Sequence, residues 1–205
     1  MNIEPQIKKG RKYDQVVAGA RDVFMREGYE GASVDVIARD AGVSKATLYS
    51  YFPDKQQLFM AVLQMECDLQ RRAQMDIEFL QRDVPDALHH LACSMMQFLL
   101  SETGLAMFRV CVGEANRFPE LGQAFYETGP LTAQRQVAEY LQTEKAAAFL
   151  DIEDHMTAAD TFMQLCRTDL MLQRLMRVSG APSETEIKNT ASEAVTTFLA
   201  RYRRG

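Results

Sequence analysis

The sequence predicts an all-α protein, and three observations point there. Apolar residues recur at helical spacing along most of the 205-residue chain. Proline and glycine, six and eleven in number, punctuate it sparsely. No segment shows the apolar–polar alternation of a strand, and no internal repeat or low-complexity run is present. About nine helices account for the chain. At 47% hydrophobic and 25% charged residues the composition is that of a globular protein. A chain of this size buries roughly 70% of its unfolded surface, so no disulfide staple is required.

The first helix is expected from Arg11 to Glu27, with Tyr13, Val17, Ala20 and Phe24 on one face and Gly28 as its C-terminal cap. Ser33 is placed to cap a short helix reaching Ala41. Gly42-Val43 then turns the chain, and Ser44 is placed to cap a third helix ending at Tyr51. Pro53 stops that helix, and Asp54 with Gln57 resembles a capping box for a long fourth helix to about Leu80, striped by Leu58, Val62, Met65 and Leu69. Further helices are expected over 84–101, 105–115, 130–150, 156–178 and 183–203. Gly104, Phe118-Pro119, Gly129-Pro130 and Gly180-Ala181-Pro182 are read as breaks, and Ser183 with Glu186 as a capping box for the last helix.

Several chemistries lack a signature here. Cys67, Cys93, Cys111 and Cys166 are scattered, with no CxxC or Cys/His cluster for zinc, and read as small buried hydrophobes in a reducing compartment. His89 and His90 point about 100° apart on a helix and cannot chelate one metal together. Hydrolase, metalloprotease, Walker and dinucleotide motifs are absent, so no enzyme, metal or cofactor is expected. No apolar run reaches the ~18 residues of a membrane span, and the start carries no export signal, so the expected location is the cytoplasm.

The net charge of −5 argues against nucleic acid, but its distribution argues for it. Residues 1–60 are at +1 and residues 61–205 at −6, with Lys8, Lys9, Arg11 and Lys12 clustered near the start. Clustered cations bind phosphate even in an acidic protein, because screening hides charges beyond about 8 Å. Within SVDVIARDAGVSKATLYSYFPDK, two short helices meet across a glycine turn. Val34, Ile37, Ala38, Val43 and Leu48 would fix their angle, and the second helix offers Ser44, Lys45, Ala46, Thr47, Tyr49 and Tyr51. Short polar and aromatic groups around one lysine are what a major-groove recognition helix presents.

These residues also carry a family resemblance. Phe24-x3-Gly28-Tyr29, Ser33-Val34-x2-Ile37-Ala38, Ala41-Gly42-Val43-Ser44 and Leu48-Tyr49-x-Tyr51-Phe52-x2-Lys55, followed by Leu58-Phe59, resemble the DNA-binding domain of TetR-family regulators. Arg109-x4-Glu114-x2-Arg117-Phe118-Pro119-Glu120-Leu121, Phe125-Tyr126 and Phe162-x2-Leu165-x-Arg167-x-Asp169-Leu170 look like AefR-like C-terminal domains. The resemblance implies a homeodomain-like helix-turn-helix domain over 1–55 and a helical effector-binding and dimerisation domain over 56–205.

By that resemblance Ser44, Lys45, Ala46 and Thr47 face base edges or nearby phosphates, Tyr49 and Tyr51 touch the backbone, and Lys55 grips a phosphate beside helix amides. Ser33 has two roles open, capping and phosphate donation; Tyr51 likewise, contacting DNA or packing under the fourth helix. Lys8 to Lys12 could reach a minor groove. Met95, Phe98, Phe108, Arg109, Phe118, Phe125 and Tyr126 are candidates for an effector pocket, with core filling as the alternative. Arg109 and Glu114 either orient a ligand or pair with each other or a neighbouring helix.

The stretch from Met156 to Arg177 is apolar around most of its circumference and so is expected to be buried on nearly every side, part of it by a second subunit. Leu165, Leu172, Leu175, Met176, Ala194, Phe198 and Tyr202 are the candidate dimer contacts. The function implied is a homodimeric repressor that leaves a palindromic duplex operator when a small, largely apolar effector binds. The alternatives are a DNA-binding architectural or cell-division regulator of the same fold without effector, and an activator.

Overall fold

The computed structural model describes residues 10–74, 79 and 82–205. Lys8, Lys9 and the expected end of the long helix near Leu80 lie outside the described residues. The helices are α1 (Arg11–Gly31), α2 (Val34–Asp40), α3 (Lys45–Tyr51), α4 (Lys55–Gln74), α5 (Val84–Leu99), α6 (Glu102–Glu114), α7 (Pro119–Thr128), α8 (Pro130–Leu141), α9 (Glu144–Phe149), α10 (His155–Cys166), α11 (Asp169–Leu175) and α12 (Glu184–Tyr202). Among the described residues there is no strand, only an isolated bridge between Leu150 and Arg203. No single described helix is long and apolar enough to cross a membrane.

Packing divides the chain into two compact units. One runs to Glu66 and includes residues 110–125; the other holds 67–109 and 126–205. The boundaries therefore pass through α4, α6 and α7, whereas the 1–55 and 56–205 division follows the motif alone.

In the first unit α1 bends at Gly28, whose φ of 74° is a backbone region that glycine occupies at little cost. Val16, Val17, Ala20, Val23 and Phe24 are buried along α1, as are Ile37, Ala38 and Leu48 of α2 and α3 and Leu58, Phe59 and Val62 of α4; α1 packs on α2, and the Phe24 ring stands edge-on to Phe59. Gly19 is the point of closest approach: a Cβ there would lie 2.8 Å from Ala41 Cβ and 3.0 Å from its backbone. A half-buried ion pair joins α1 to α4, with Arg21 Nε 2.5 Å from Glu66 Oε1. That carboxylate holds the Arg21 pKa above its ordinary value, its hydrogen bond outweighing partial desolvation.

In the second unit α12 packs along α5, and α10 packs on α8 and α12. Their shared core includes Leu88, Met96, Leu141, Phe162 and Phe198. The expected capping box is present: the Ser183 hydroxyl accepts from Glu186 N and the Glu186 carboxylate accepts from Ser183 N. Asp151 N donates to Tyr202 O at 2.7 Å and Arg204 N to Phe149 O at 3.0 Å, pinning the end of α12 beside α9.

Four expectations change. The helix expected over 130–150 is two, because Thr143 turns its hydroxyl on Tyr140 O at 2.7 Å and caps α9 instead of continuing α8. The one over 156–178 is also two, broken at Arg167 (ψ 72°) and Thr168 (ψ −178°). Residues 119–128, to which the sequence reading assigns no helix, form α7, with Pro119 at its first position where the missing N–H costs nothing. Gly104 does not break a helix but lies inside α6, where a Cβ would meet Phe98 O at 2.2 Å.

The stretch from Met156 to Arg177, expected to be buried in part by a second subunit, has its buried residues in this chain only as far as Cys166. No residue of α11 is buried, and Leu172, Met176 and Val178 are 52%, 68% and 77% exposed. Ala194 and Phe198, at 4% and 1%, are buried in the chain's own core and have no surface left to offer a partner.

Gly19→Ala tests the close approach under α2. The added methyl forces α1 and α2 apart and should destabilise the protein by about 1–3 kcal/mol, read as a lowered chemical-denaturation midpoint.

Candidate nucleic-acid interface

The helix-turn-helix is built from local capping. Ser33 Oγ accepts from Asp35 N at 3.2 Å and so caps α2. After α2 the chain reverses through Gly42 (φ 65°), with Gly42 N donating to Arg39 O and Val43 N to Ala38 O, both at 3.0 Å. Ser44 Oγ then accepts from Thr47 N at 3.0 Å and lies 2.8 Å from Thr47 Oγ1, closing the first turn of α3.

Only Leu48 of α3 is buried. It anchors one side of the helix, so Ser44, Lys45, Ala46, Tyr49 and Ser50 remain exposed and Thr47 partly so. This is an outward surface of two small residues, hydroxyls, one phenol and one ammonium. Lys45 Nζ sits 2.9 Å from Asp35 Oδ1 on α2, and that hydrogen bond raises the lysine pKa further above its ordinary value. The ammonium is therefore always charged near neutral pH and is held across the motif until a better acceptor competes. Asp35, in the first turn of α2, is a member of this surface that the sequence reading did not single out.

The remaining candidates are more firmly engaged. Tyr51 stands edge-on to Tyr13 of α1, with centroids 6.0 Å apart and planes at 81°, so its packing partner is α1. Lys55 Nζ donates to Glu30 O at 3.2 Å and to Ala32 O at 3.4 Å, and lies 4.7 Å from the Tyr29 ring centroid. The α4 start is also occupied, since Asp54 Oδ1 accepts from Gln57 N at 2.7 Å. Here Lys55 fastens the α1–α2 connection, and a phosphate would have to share it with those carbonyls.

The expected pocket residues fall into both units. Phe118 belongs to the first, 5.6 Å from the Tyr29 ring at 73°, next to Arg117, whose guanidinium is 2.6 Å from Glu30 Oε1. Phe125 is also in the first unit and half-buried. Met95, Phe98, Phe108 and Arg109 belong to the second, where Met95 packs on the core and the other three are half-buried; Tyr126 is 55% exposed. Arg109 is committed to a neighbouring helix: its Nη2 donates to Arg174 O at 2.8 Å and Leu175 O at 3.2 Å, capping α11. Of the interface candidates, Leu165, Leu175 and Tyr202 are half-buried.

Comparison with known proteins agrees with this geometry. Residues 16–62 match the family described as bacterial regulatory proteins, tetR family, and residues 86–204 match the AefR-like transcriptional repressor, C-terminal domain. Over 63 residues the chain is 40% identical to the HTH-type transcriptional activator FasR of Mycolicibacterium smegmatis, a segment spanning 31% of this chain and only 29% of that relative. The solved Flavonoid-responsive Regulator FrrA is 34% identical, with a TM-score of 0.78 over 95% of this chain and 98% of its own. A putative TetR-family regulator from Mesorhizobium loti superposes with a TM-score of 0.81 at 26% identity, covering 96% and 100%. With the exposed α3 on its glycine turn and matches over both parts of the chain, this protein belongs to the TetR family of DNA-binding transcriptional regulators.

Proposed function

We propose that the protein is a ligand-responsive repressor that binds a palindromic operator as a homodimer and is released by a small, largely apolar molecule. The observation that carries the DNA-binding half is α3, anchored by Leu48 alone with Lys45, Ala46 and Tyr49 facing outward. The repressor sign draws on the AefR-like match over 86–204. The FasR match is confined to 63 residues, under a third of either chain, and does not carry the sign of regulation. An apolar effector is favoured by the likeness to a flavonoid-responsive regulator along nearly the whole chain. Dimerisation is supported by Leu172, Met176 and Val178, apolar side chains exposed together at and after α11.

In the operator complex the two recognition helices would enter major grooves about one turn, or 34–36 Å, apart. Release needs only that the effector bind better to a state with another spacing; its differential affinity is the whole driving force. The turn at 115–118 is suited to take part. Arg117 and Phe118 hold Glu30 and Tyr29, which also position Lys55.

Selection of bound fragments from randomised duplex DNA should return a palindrome. Lys45→Ala should change the preferred base at one half-site position, by about 1–3 kcal/mol. Lys55→Ala should weaken all sequences alike and make the log–log salt slope shallower by about 0.9 per lost phosphate contact. An unchanged slope with a lowered melting temperature would make Lys55 a fastener of the α1–α2 connection only.

Adding hydroxylated flavonoids to the operator complex should raise its Kd at least tenfold. A Kd that no flavonoid moves would favour a regulator of this fold responding to another ligand class or to none.

A further inference from the structure

Native cores leave few buried polar atoms without a hydrogen bond, because each such atom has lost water and gained nothing in return. In the second unit three of them belong to residues grouped about Phe79. The Tyr140 hydroxyl, His90 Nε2 and Arg82 Nε are all buried and have no hydrogen-bond partner among the described residues. Tyr140 is only 7% exposed overall. The Phe79 ring, 1% exposed, ties the group together: it lies 5.2 Å from the Tyr140 ring and 5.9 Å from the His90 ring. Arg82 N donates to Phe79 O at 3.3 Å, which places Arg82 one turn from the same ring. The Lys145 ammonium donates to Arg82 O and holds that stretch of backbone.

The three atoms make a definite chemical demand. A phenol donates and accepts, a neutral imidazole nitrogen does one or the other by tautomer, and the guanidinium Nε–H only donates. Burial, with Asp83 adding to it, pushes the Tyr140 hydroxyl up to about 12, so it stays a protonated phenol at neutral pH. The best single complement is an oxygen that accepts and can also donate, carried on a flat framework that fits beside three aromatic rings.

We propose that Tyr140, His90 and Arg82 form the polar end of a binding site for an aromatic molecule bearing a phenolic or carbonyl oxygen. The site rests on the ligand-responsive reading above and gives it a chemical anchor. It does not involve the Met and Phe candidates drawn from the sequence. Arg109, the polar group expected there, is already spent on the end of α11.

The test pairs two variants with two probes. Tyr140→Phe and His90→Phe remove the unsatisfied atoms while keeping a ring. In the ligand-free protein Tyr140→Phe should raise Tm by about 2–4 °C, since a buried hydroxyl without a partner is lost. A lowered Tm would mean that the hydroxyl is already bonded, and would overturn the proposal.

Binding of a hydroxyflavone and of unsubstituted flavone is then measured by calorimetry. The wild type should bind the hydroxyflavone about tenfold more tightly, and both variants should lose that preference while keeping operator affinity. If the variants keep the preference, the oxygen is held elsewhere: the site falls and the ligand-responsive reading stands. If the wild type binds neither flavone, the flavonoid-class reading falls and takes this site with it.

Discussion

A seven-residue helix does not hold itself together in water, and α3 is seven residues long. Its existence and its direction are therefore borrowed. Ser44 closes its first turn, Gly42 lets the chain arrive there at positive φ, and Leu48 fixes its roll by being buried. The depth at which α3 can sit follows from α1 and α2, which approach until Gly19 meets Ala41. Everything on the outer surface inherits its aim from these four positions. Lys45 projects where it does because burial of Leu48 fixes the roll of the helix about its axis. Base readout requires placement to a fraction of an ångström, so the buried Leu48 and the Gly19–Ala41 approach bear on it as much as the exposed side chains do.

The second dependence runs through Tyr29. Its ring stacks on Phe24, meets Phe59 and Phe118 edge-on, and lies under the Lys55 ammonium. Burial, reinforced by nearby carboxylates, raises the Tyr29 hydroxyl pKa, so the ring remains neutral beside that cation. Glu30, its neighbour, joins the same assembly through Arg117. The Glu30–Arg117 pair is exposed and contributes little stability alone. Its value is positional: it ties the 115–118 turn to the very carbonyls on which Lys55 hangs. A helix-turn-helix held only by its own small core would be indifferent to residues 110–125, and this one includes them.

How much of this was legible follows from where each signal resides. Gly28, Ser44 and the Ser183–Glu186 box act within a turn of their own position, and the chain alone shows them. Buried apolar positions of α1 were equally readable from their spacing. The breaks at Thr143 and Thr168 were not, because threonine is tolerated within helices and only the surroundings decide whether its backbone extends. Arg109 read as an odd charge among apolar residues; its partners, the last carbonyls of α11, are 65 and 66 residues away and leave no trace in local pattern. For Lys55 the resemblance implies a phosphate contact, while its grip on Glu30 O and Ala32 O depends on a backbone path that composition does not encode.

The apolar residues of α11 show the same limit from the other side. Periodicity reads the segment as buried on nearly every side, part of it by a second subunit; within one chain that burial reaches Phe162 and Cys166 in α10 and stops at the break at Arg167. After that break Leu172, Met176 and Val178 face outward. A sequence specifies that such side chains must leave water, but it does not specify which chain covers them. In an isolated subunit three large hydrophobes exposed in one short stretch are a liability; at a two-fold axis they become an isologous contact in which the same stretch covers its copy. The apolar character of this segment thus suits a surface that the single chain does not contain. Reading two half-sites with one α3 each requires such a second copy, so the features that defeat a one-chain account of burial are those a palindrome reader needs.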